Sequence, residues 1–422
     1  MARLTGLGVL ATMLLSACGE GSGNTPIPVG SITVTGTVLN SAGKPVAGAN
    51  VLLNEGKPLT SSADGTFSYA GVIPPYTLTV RSGGFISEYR GLTRSNPQIA
   101  PVFVSSGFGK TVSGKVSGGT LPLESDNNVV LAATGNTIAF LNFDRSTGAF
   151  QGPLGWWGSP TLTTDLLALQ YRVTSAPVTP SEFRLGKRSG VSLTSGGTLT
   201  GQDITLDTPL TTSQTILDFN PGAYAVGTDT YYWTYRAGGA IFLINGKIRL
   251  VNTASTSYPS EGASLGAEGK DAEGGFAQII VPAVAGIKPG DFGTTPINLP
   301  TSAVLQNAVP DNGATGVSKT PSLSRASVAG TTLYLIRLTG AGNTYTFYLP
   351  GDSSTLAFPD YSSLGVPLTG ATAYSWDMES YQTAGYTPDG ITDPGTLNRF
   401  RYYTASSMSF FKSATSTFTT AP

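Results

Sequence analysis

The chain of 422 residues contains no histidine and a single cysteine. Without imidazole, the commonest general base and the commonest metal ligand are missing. Ser-His-Asp and Cys-His nucleophile systems are therefore excluded, as are His-ligated zinc, copper and iron sites. One thiol cannot close a disulfide within the chain, even in an oxidising compartment. Charge is scarce as well: Asp, Glu, Lys and Arg make up 12% of the residues, against roughly 25% in an average globular protein. Lys plus Arg is 24 and Asp plus Glu 25, for a formal charge of −1. No stretch concentrates basic residues, so the footprint of nucleic-acid binding is absent.

Turn formers, by contrast, are plentiful, with 54 Gly and 28 Pro. Their share exceeds the usual level but stays below the roughly 25–30% of a disordered low-complexity chain. Together with 40% hydrophobic residues, this predicts a folded, turn-rich β protein. At roughly 100–200 residues per domain, the length corresponds to two to four domains.

Arg3 precedes the apolar run Leu7, Val9, Leu10, Ala11, Met13, Leu14 and Leu15, which leads to Ser16-Ala17-Cys18. The run is too short to span a bilayer and has the layout of an export signal. Leu15-Ser16-Ala17-Cys18 resembles the bacterial lipobox. That resemblance implies removal of residues 1–17, lipidation of Cys18 and anchoring to a membrane, the outer one in a didermal organism because Gly19 follows. Residues 18–30 then form a lipidated flexible tether with a reach of roughly 20 Å.

From Ser31 onward, short alternating strands are separated by turn residues, the signature of antiparallel β-sandwiches. GTV at 36–38, GKPVAGANVLL at 43–53, SADGTFSYAGV at 62–72 and YTLTV at 76–80 resemble the carboxypeptidase regulatory-like, or transthyretin-like, family. Pro74-Pro75 stands where that family has Pro-x-Gly. The resemblance implies a β-sandwich over 31–105 that serves as a non-catalytic folding or contact unit.

An echo follows at an offset of 78 residues. Val34, Gly36, Val38, Asn50, Val51 and Leu53 fall onto Val112, Gly114, Val116, Asn128, Val129 and Leu131. Gly65-Thr66-Phe67 then matches Gly148-Ala149-Phe150 at an offset of 83, which places an insertion near 135–143. Residues 106–210 are expected to be a diverged second sandwich. Within it, Thr161 to Val173 fits either a short helix or a strand pair.

Residues 211–305 read as a β-rich domain resembling no family. Asn245-Gly246 between two apolar runs predicts a hairpin, and Ser257 to Gly275 reads as a long loop. From 306 to 422 the strands at 331–338, 344–349 and 372–378, with Tyr374 and Trp376 in the last, resemble a fibronectin type III or Ig-like sandwich. Arg325 stands where that family places a tryptophan. Strands at 399–403 and 407–411 would complete the sheet, leaving a polar tail from Ser413 to Pro422.

Several motifs mimic catalytic or ligand sites. Gly262-Ala263-Ser264-Leu265-Gly266 satisfies the nucleophile-elbow pattern, but there is no histidine to take the serine proton. Gly109-Lys110-Thr111 resembles the end of a P-loop, with Val104 in place of the first glycine; a β-turn is the better reading. Asn142, Asp144, Ser146 and Gly148 alternate as calcium ligands do, but Pro153 occupies the position of the bidentate glutamate. Trp156 and Trp157, and the strand Tyr231-Tyr232-Trp233-Thr234-Tyr235, offer aromatic faces that suit either a sugar ring or a β-sandwich core.

These features lead to one main expectation. The chain reads as an all-β, tandem-sandwich lipoprotein, non-catalytic and without cofactor or metal, anchored through Cys18 and displaying its modules on the cell envelope for envelope structure, adhesion or protein interaction, with an envelope protein or a glycan as partner. One alternative is a carbohydrate-binding lipoprotein using Trp156, Trp157, Tyr231, Tyr232 and Trp233. The other is a hydrolase built on two carboxylates, which needs no histidine.

Overall fold

A computed structural model of the chain describes residues 30–40, 44–54, 56–99, 108–119, 127–134, 137–139, 141–156, 159–175, 178–224, 230–237, 240–248, 253–259, 263–282, 297–393 and 408–422. Cys18, the export segment and Trp157 lie outside the described residues. The described part is nearly all β and consists of packed sheets, as expected from the alternation and turn spacing.

The first unit comprises β1 (Ile32–Val38), β2 (Asn50–Leu53), β3 (Leu59–Thr60), β4 (Thr66–Val72), β5 (Tyr76–Ser82), β6 (Phe85–Leu92) and β7 (Gln98–Ile99). Antiparallel β4 and parallel β7 flank β1 in one layer. The order β3-β2-β5-β6 forms the other. Period two turns Val34, Val38, Val51, Leu78, Val80 and Tyr89 into the space between the layers, where each is at most 1% exposed. Burying an aliphatic side chain this fully contributes roughly 1.5–3 kcal/mol. Pro74-Pro75 makes the β4–β5 turn through a cis peptide.

The second unit contains β8 (Phe108–Gly118), β9 (Asn127–Ala133), β10 (Thr137–Ala139), β11 (Asn142–Phe143), β12 (Ala149–Trp156), β13 (Thr161–Ser175), β14 (Val178–Thr194), β15 (Thr198–Leu199) and β16 (Ile204–Pro209). Its register repeats that of the first unit. Gly36 lies opposite Phe67 and Gly114 opposite Phe150, while Val38 is paired in parallel with Ile99 and Val116 with Ile204. A side chain on Gly36 would strike the Phe67 ring and the Pro97 carbonyl. One on Gly114 would strike the Phe150 ring and the Gln202 carbonyl. Both glycines are thus required by the same close packing. The insertion near 135–143 holds β10 and β11. Thr161 to Val173 is one long strand within β13, continued by pairing with β14 on one side and β9 on the other. Gly109-Lys110-Thr111 lies inside β8 rather than in a turn, because its backbone is held by β12.

The third unit has β17 (Thr212–Asn220), β18 (Thr230–Ala237), β19 (Ala240–Ile248), β20 (Thr253–Pro259), β21 (Ala263–Lys270), β22 (Phe276–Pro282) and β23 (Ile297–Asn298). It follows the plan of the first unit strand for strand. Antiparallel β20 and parallel β23 flank β17, and the order β19-β18-β21-β22 forms the second layer. Two sequence expectations fail here. Asn245-Gly246 makes no hairpin but sits within β19, where a register irregularity opposite Tyr231 and Trp233 absorbs the extra residues. Most of Ser257 to Gly275 is strand, because β20 and β21 are paired by β17, β18 and β22 despite their polar composition.

The C-terminal unit contains β24 (Ala314–Val317), β25 (Ser322–Ser324), β26 (Leu333–Gly340), β27 (Asn343–Pro350), β28 (Thr355–Ala357), β29 (Ala373–Gln382), the short helix α1 (Pro388–Ile391), β30 (Met408–Lys412) and β31 (Ser416–Thr420). One face of β26, β27 and β29 is covered by the β25–β28 pair and the 3-10 turn Tyr361–Leu364. Tyr374 and Trp376 are each 1% exposed in that core. Arg325 lies over the Trp376 ring at 4.8 Å. It donates to the carbonyls of Leu305 and Ala414 and to Ser416 Oγ, so the cation fills the place expected for an aromatic ring. The polar tail is in fact β31, whose alternation buries Ser416, Phe418 and Thr420 against β29 and β24. The strand expected at 399–403 lies outside the described residues.

Three of the four units share one sheet. β6 pairs in parallel with β27, and β22 pairs antiparallel with β30, giving a 14-stranded sheet. In both the first and third units the docking strand is the same one, the last of the four-stranded layer. In the second unit the equivalent edge, β14, is already paired with β16 of its own unit. That unit therefore has a separate 9-stranded sheet.

Candidate functional site

The most developed constellation of polar side chains lies where β6 meets the C-terminal unit. Parallel pairing leaves β6 covered on both faces. Tyr89 points into the first unit's core and stacks on Tyr348 of β27 at 4.4 Å. On the opposite face, Ile86 and Leu52 belong to the C-terminal core, together with Tyr361, Leu364 and Phe358. Glu88 also points to this second face and is 3% exposed. A buried carboxylate is costly unless fully partnered. Its partners are Tyr361 Oη at 2.5 Å, Thr79 Oγ1 at 3.0 Å and Arg90 Nε at 2.6 Å. Arg90 also donates to the Ala357 carbonyl at 3.2 Å, and Arg81 donates to that of Leu364. Burial, and then the negative charge of Glu88, push the Tyr361 hydroxyl well above its ordinary pKa, so it remains a donor.

A second bolt lies at the end of the same strand. Asp389, in the first turn of α1, accepts from the Thr93 amide at 2.9 Å, from the Thr93 hydroxyl at 2.5 Å and from the Arg94 amide at 3.3 Å. Arg94 returns a hydrogen bond to the Asp389 carbonyl at 2.7 Å and pairs with Asp393 at 3.2 Å. Tyr76 Oη donates to the Arg94 carbonyl, and burial followed by the nearby Asp389 raises its pKa above the ordinary range.

The buried acid pair Asp377 and Glu379 was the arrangement to look for if the chain were a carboxylate-based hydrolase. The two residues lie two apart on β29, side by side on one face, at 9% and 5% exposure. Arg337 from β26 approaches them at 4.0 and 3.8 Å, and Lys412 from β30 at 3.4 and 3.6 Å. Tyr381 Oη donates to Glu379 at 2.7 Å. Burial raises the Glu379 pKa, and Arg337 and Tyr381 oppose that rise. The four charges neutralise one another across three strands. The carboxylates neighbour each other on one strand instead of facing across an opening, which is the geometry of an ion cluster.

The aromatic candidates are split up by the fold. Trp156 is 0% exposed, lies in the core of the second unit and donates from Nε1 to the Ser159 carbonyl at 2.8 Å. Period two places it on the inward face with Phe150 and Leu154, so the expected contact face is spent on the core. Tyr231, Tyr232 and Trp233 lie on β18, paired on both sides by β19 and β21. Ser264 of the elbow look-alike sits within β21, opposite Thr234 and Pro282, not where a strand hands over to a helix. Asp144 caps its own hairpin, accepting from the Ser146 amide, the Ser146 hydroxyl and the Thr147 hydroxyl at 2.9, 2.7 and 2.7 Å. Sequence reading missed Glu88, Tyr361 and Asp389. Its available signal was Glu88 itself, a charge in the middle of a strand with apolar residues on both parities.

No curated protein matches the chain. Among solved structures it is similar to the Bacillus anthracis TIE protein, with a TM-score of 0.16 and 9% identity over 60% of this chain and 45% of that one. It is also similar to BcpA, the major pilin subunit of Bacillus cereus, with a TM-score of 0.14 and 11% identity over 60% and 88% of the two chains. For the FN1–FN3 domains of chicken CNTN1 the TM-score is 0.15 and identity 9%, over 72% and 88%. The chain thus spans less than half the length of the TIE protein. Residues 33–105 match the carboxypeptidase regulatory-like domain, the family to which the motifs of the first unit point.

Proposed function

We propose that this protein is a non-catalytic surface lipoprotein that holds β-sandwich units in a fixed array on the cell envelope. The observation that carries this reading is the continuous 14-stranded sheet through the first, third and C-terminal units. A chain of independent modules on flexible linkers adapts to its partners, whereas one sheet with buried polar bolts at its seam behaves as a strut. The first unit, whose family match implies a contact or folding role, begins at the end of the tether that follows Cys18. Lipidation of Cys18 would fix that end to the membrane, and the sheet would project the other units from it. The engagement of Asp377 and Glu379 by Arg337 and Lys412 supports a structural rather than catalytic use of the buried carboxylates.

Metabolic labelling with an alkyne-bearing palmitate analogue tests the anchor. The wild-type protein is expected to be labelled and Cys18→Ala is not. An unlabelled wild-type protein refutes the anchored reading.

A further inference from the structure

The second unit stands outside the shared sheet, and its outer surface differs from that of the first unit in one informative way. A trough of about 840 Å³ runs over the outer face of β8 and β12, between β11 and the segment leading into β16. Its floor and walls include Thr111, Ser113, Asn142, Gln151, Pro153 and Asp203. Ser113 and Gln151 form a directly opposed cross-strand pair. By the 78- and 83-residue offsets, the same positions in the first unit are Thr35 and Ser68, which are also directly opposed. There the two hydroxyls bond each other at 3.3 Å. In the second unit the corresponding groups are left free. Among the described residues, the side chains of Thr111, Ser113, Asn142 and Gln151 make no hydrogen bond to protein.

We propose that this trough is a binding site for a neutral oligosaccharide. Hydroxyl and amide groups both donate and accept, as sugar hydroxyls do. Four such uncommitted groups converge here. The Asp144 and Asp203 carboxylates add acceptors to the lining, Asp203 being held in place by the Lys115 amide at 2.8 Å. The exposed Pro153 side chain supplies apolar surface for the C–H face of a ring. The volume falls within the roughly 300–1,000 Å³ of small-ligand sites. The two carboxylates disfavour an anionic chain, which selects neutral over acidic glycans. The site is distinct from the aromatic residues singled out by the sequence, and it does not depend on the lipid anchor.

Saturation-transfer NMR on the soluble chain starting at residue 19 tests this with cello-, chito-, malto- and xylo-tetraose, tetragalacturonate as the anionic arm, and tetralysine as the peptide arm. At least one neutral tetraose is expected to bind. Ser113→Trp, which fills the trough from a half-buried position on its floor, is expected to weaken it at least tenfold, and Gln151→Ala several-fold. Ser68→Trp, the equivalent surface in the first unit, is expected to leave it unchanged. Failure of every neutral tetraose to bind, preference for tetragalacturonate or tetralysine, or binding that survives both Ser113→Trp and Gln151→Ala would each overturn the proposal.

Discussion

Tyr361 Oη donates a 2.5 Å hydrogen bond to Glu88 Oε2, linking residues 273 positions apart across the seam between the first and C-terminal units. Because Glu88 is buried, losing this donor leaves a desolvated oxygen with fewer partners. Tyr361→Phe is therefore expected to cost about 1–3 kcal/mol, measured by urea denaturation. A double-mutant cycle with Glu88→Gln should return a coupling of about 0.5–3 kcal/mol. A Tyr361→Phe variant as stable as wild type would show that docking of the units does not draw on this bond.

Glu379 gives the ion cluster a pH signature. Burial places its folded pKa above the ordinary glutamate value. The folded state therefore holds a proton that the unfolded state has released, and stability from this group falls as pH rises from about 4.5 through the raised value. Glu379→Gln removes the titration. The stability of wild type minus that of Glu379→Gln, followed by thermal melts from pH 4 to 8, is expected to decline with rising pH. A difference that climbs over this interval would assign the cluster the opposite sign.

The turn aspartates predict the reverse behaviour at acid pH. Asp64 is held at about 2, first by the Ser62 hydroxyl and then by that of Thr66. Asp144 is held at about 2, first by the Thr147 hydroxyl and then by that of Ser146. Their stabilisation is complete above the ordinary aspartate value and is lost as pH falls from about 3.8 through about 2. Asp64→Asn with Asp144→Asn should flatten the acid limb of a pH–stability curve. An acid limb as steep as that of wild type would mean that these turns do not contribute.

The path from sequence to structure was clearest where one residue type has one use. Gly36 and Gly114 announced the repeat because nothing larger fits between strand and ring. The third unit escaped because its plan is carried by strand pairing alone, and Asn245-Gly246 gave a turn signal that the pairing of β19 overrides. Trp156 was ambiguous until strand parity fixed which way it faces. Glu88 and Tyr361 could not be paired in advance, since local periodicity says that a strand is buried on both faces but not which distant element covers it. The trough needed the structure as well. Its residues are ordinary surface polars, and only the comparison with Thr35 and Ser68 shows that they are uncommitted.

The two glycines offer the sharpest check on the repeated register. In Gly36→Ala the new methyl group meets the Phe67 ring and the Pro97 carbonyl, and in Gly114→Ala it meets the Gln202 carbonyl and the Phe150 ring. Overpacking in a closed core costs about 1–3 kcal/mol. Backbone carbonyls shift less readily than side chains, so both variants are expected near the upper end of that range in urea denaturation. The ring can yield. Combining Gly36→Ala with Phe67→Leu should therefore cost less than the sum of the two single changes, and Gly114→Ala with Phe150→Leu should behave alike. Equal non-additivity at both sites follows if β1 faces β4 as β8 faces β12. Additive costs at the second site would mean that Phe150 does not cross Gly114, and that the echo in sequence does not extend to packing.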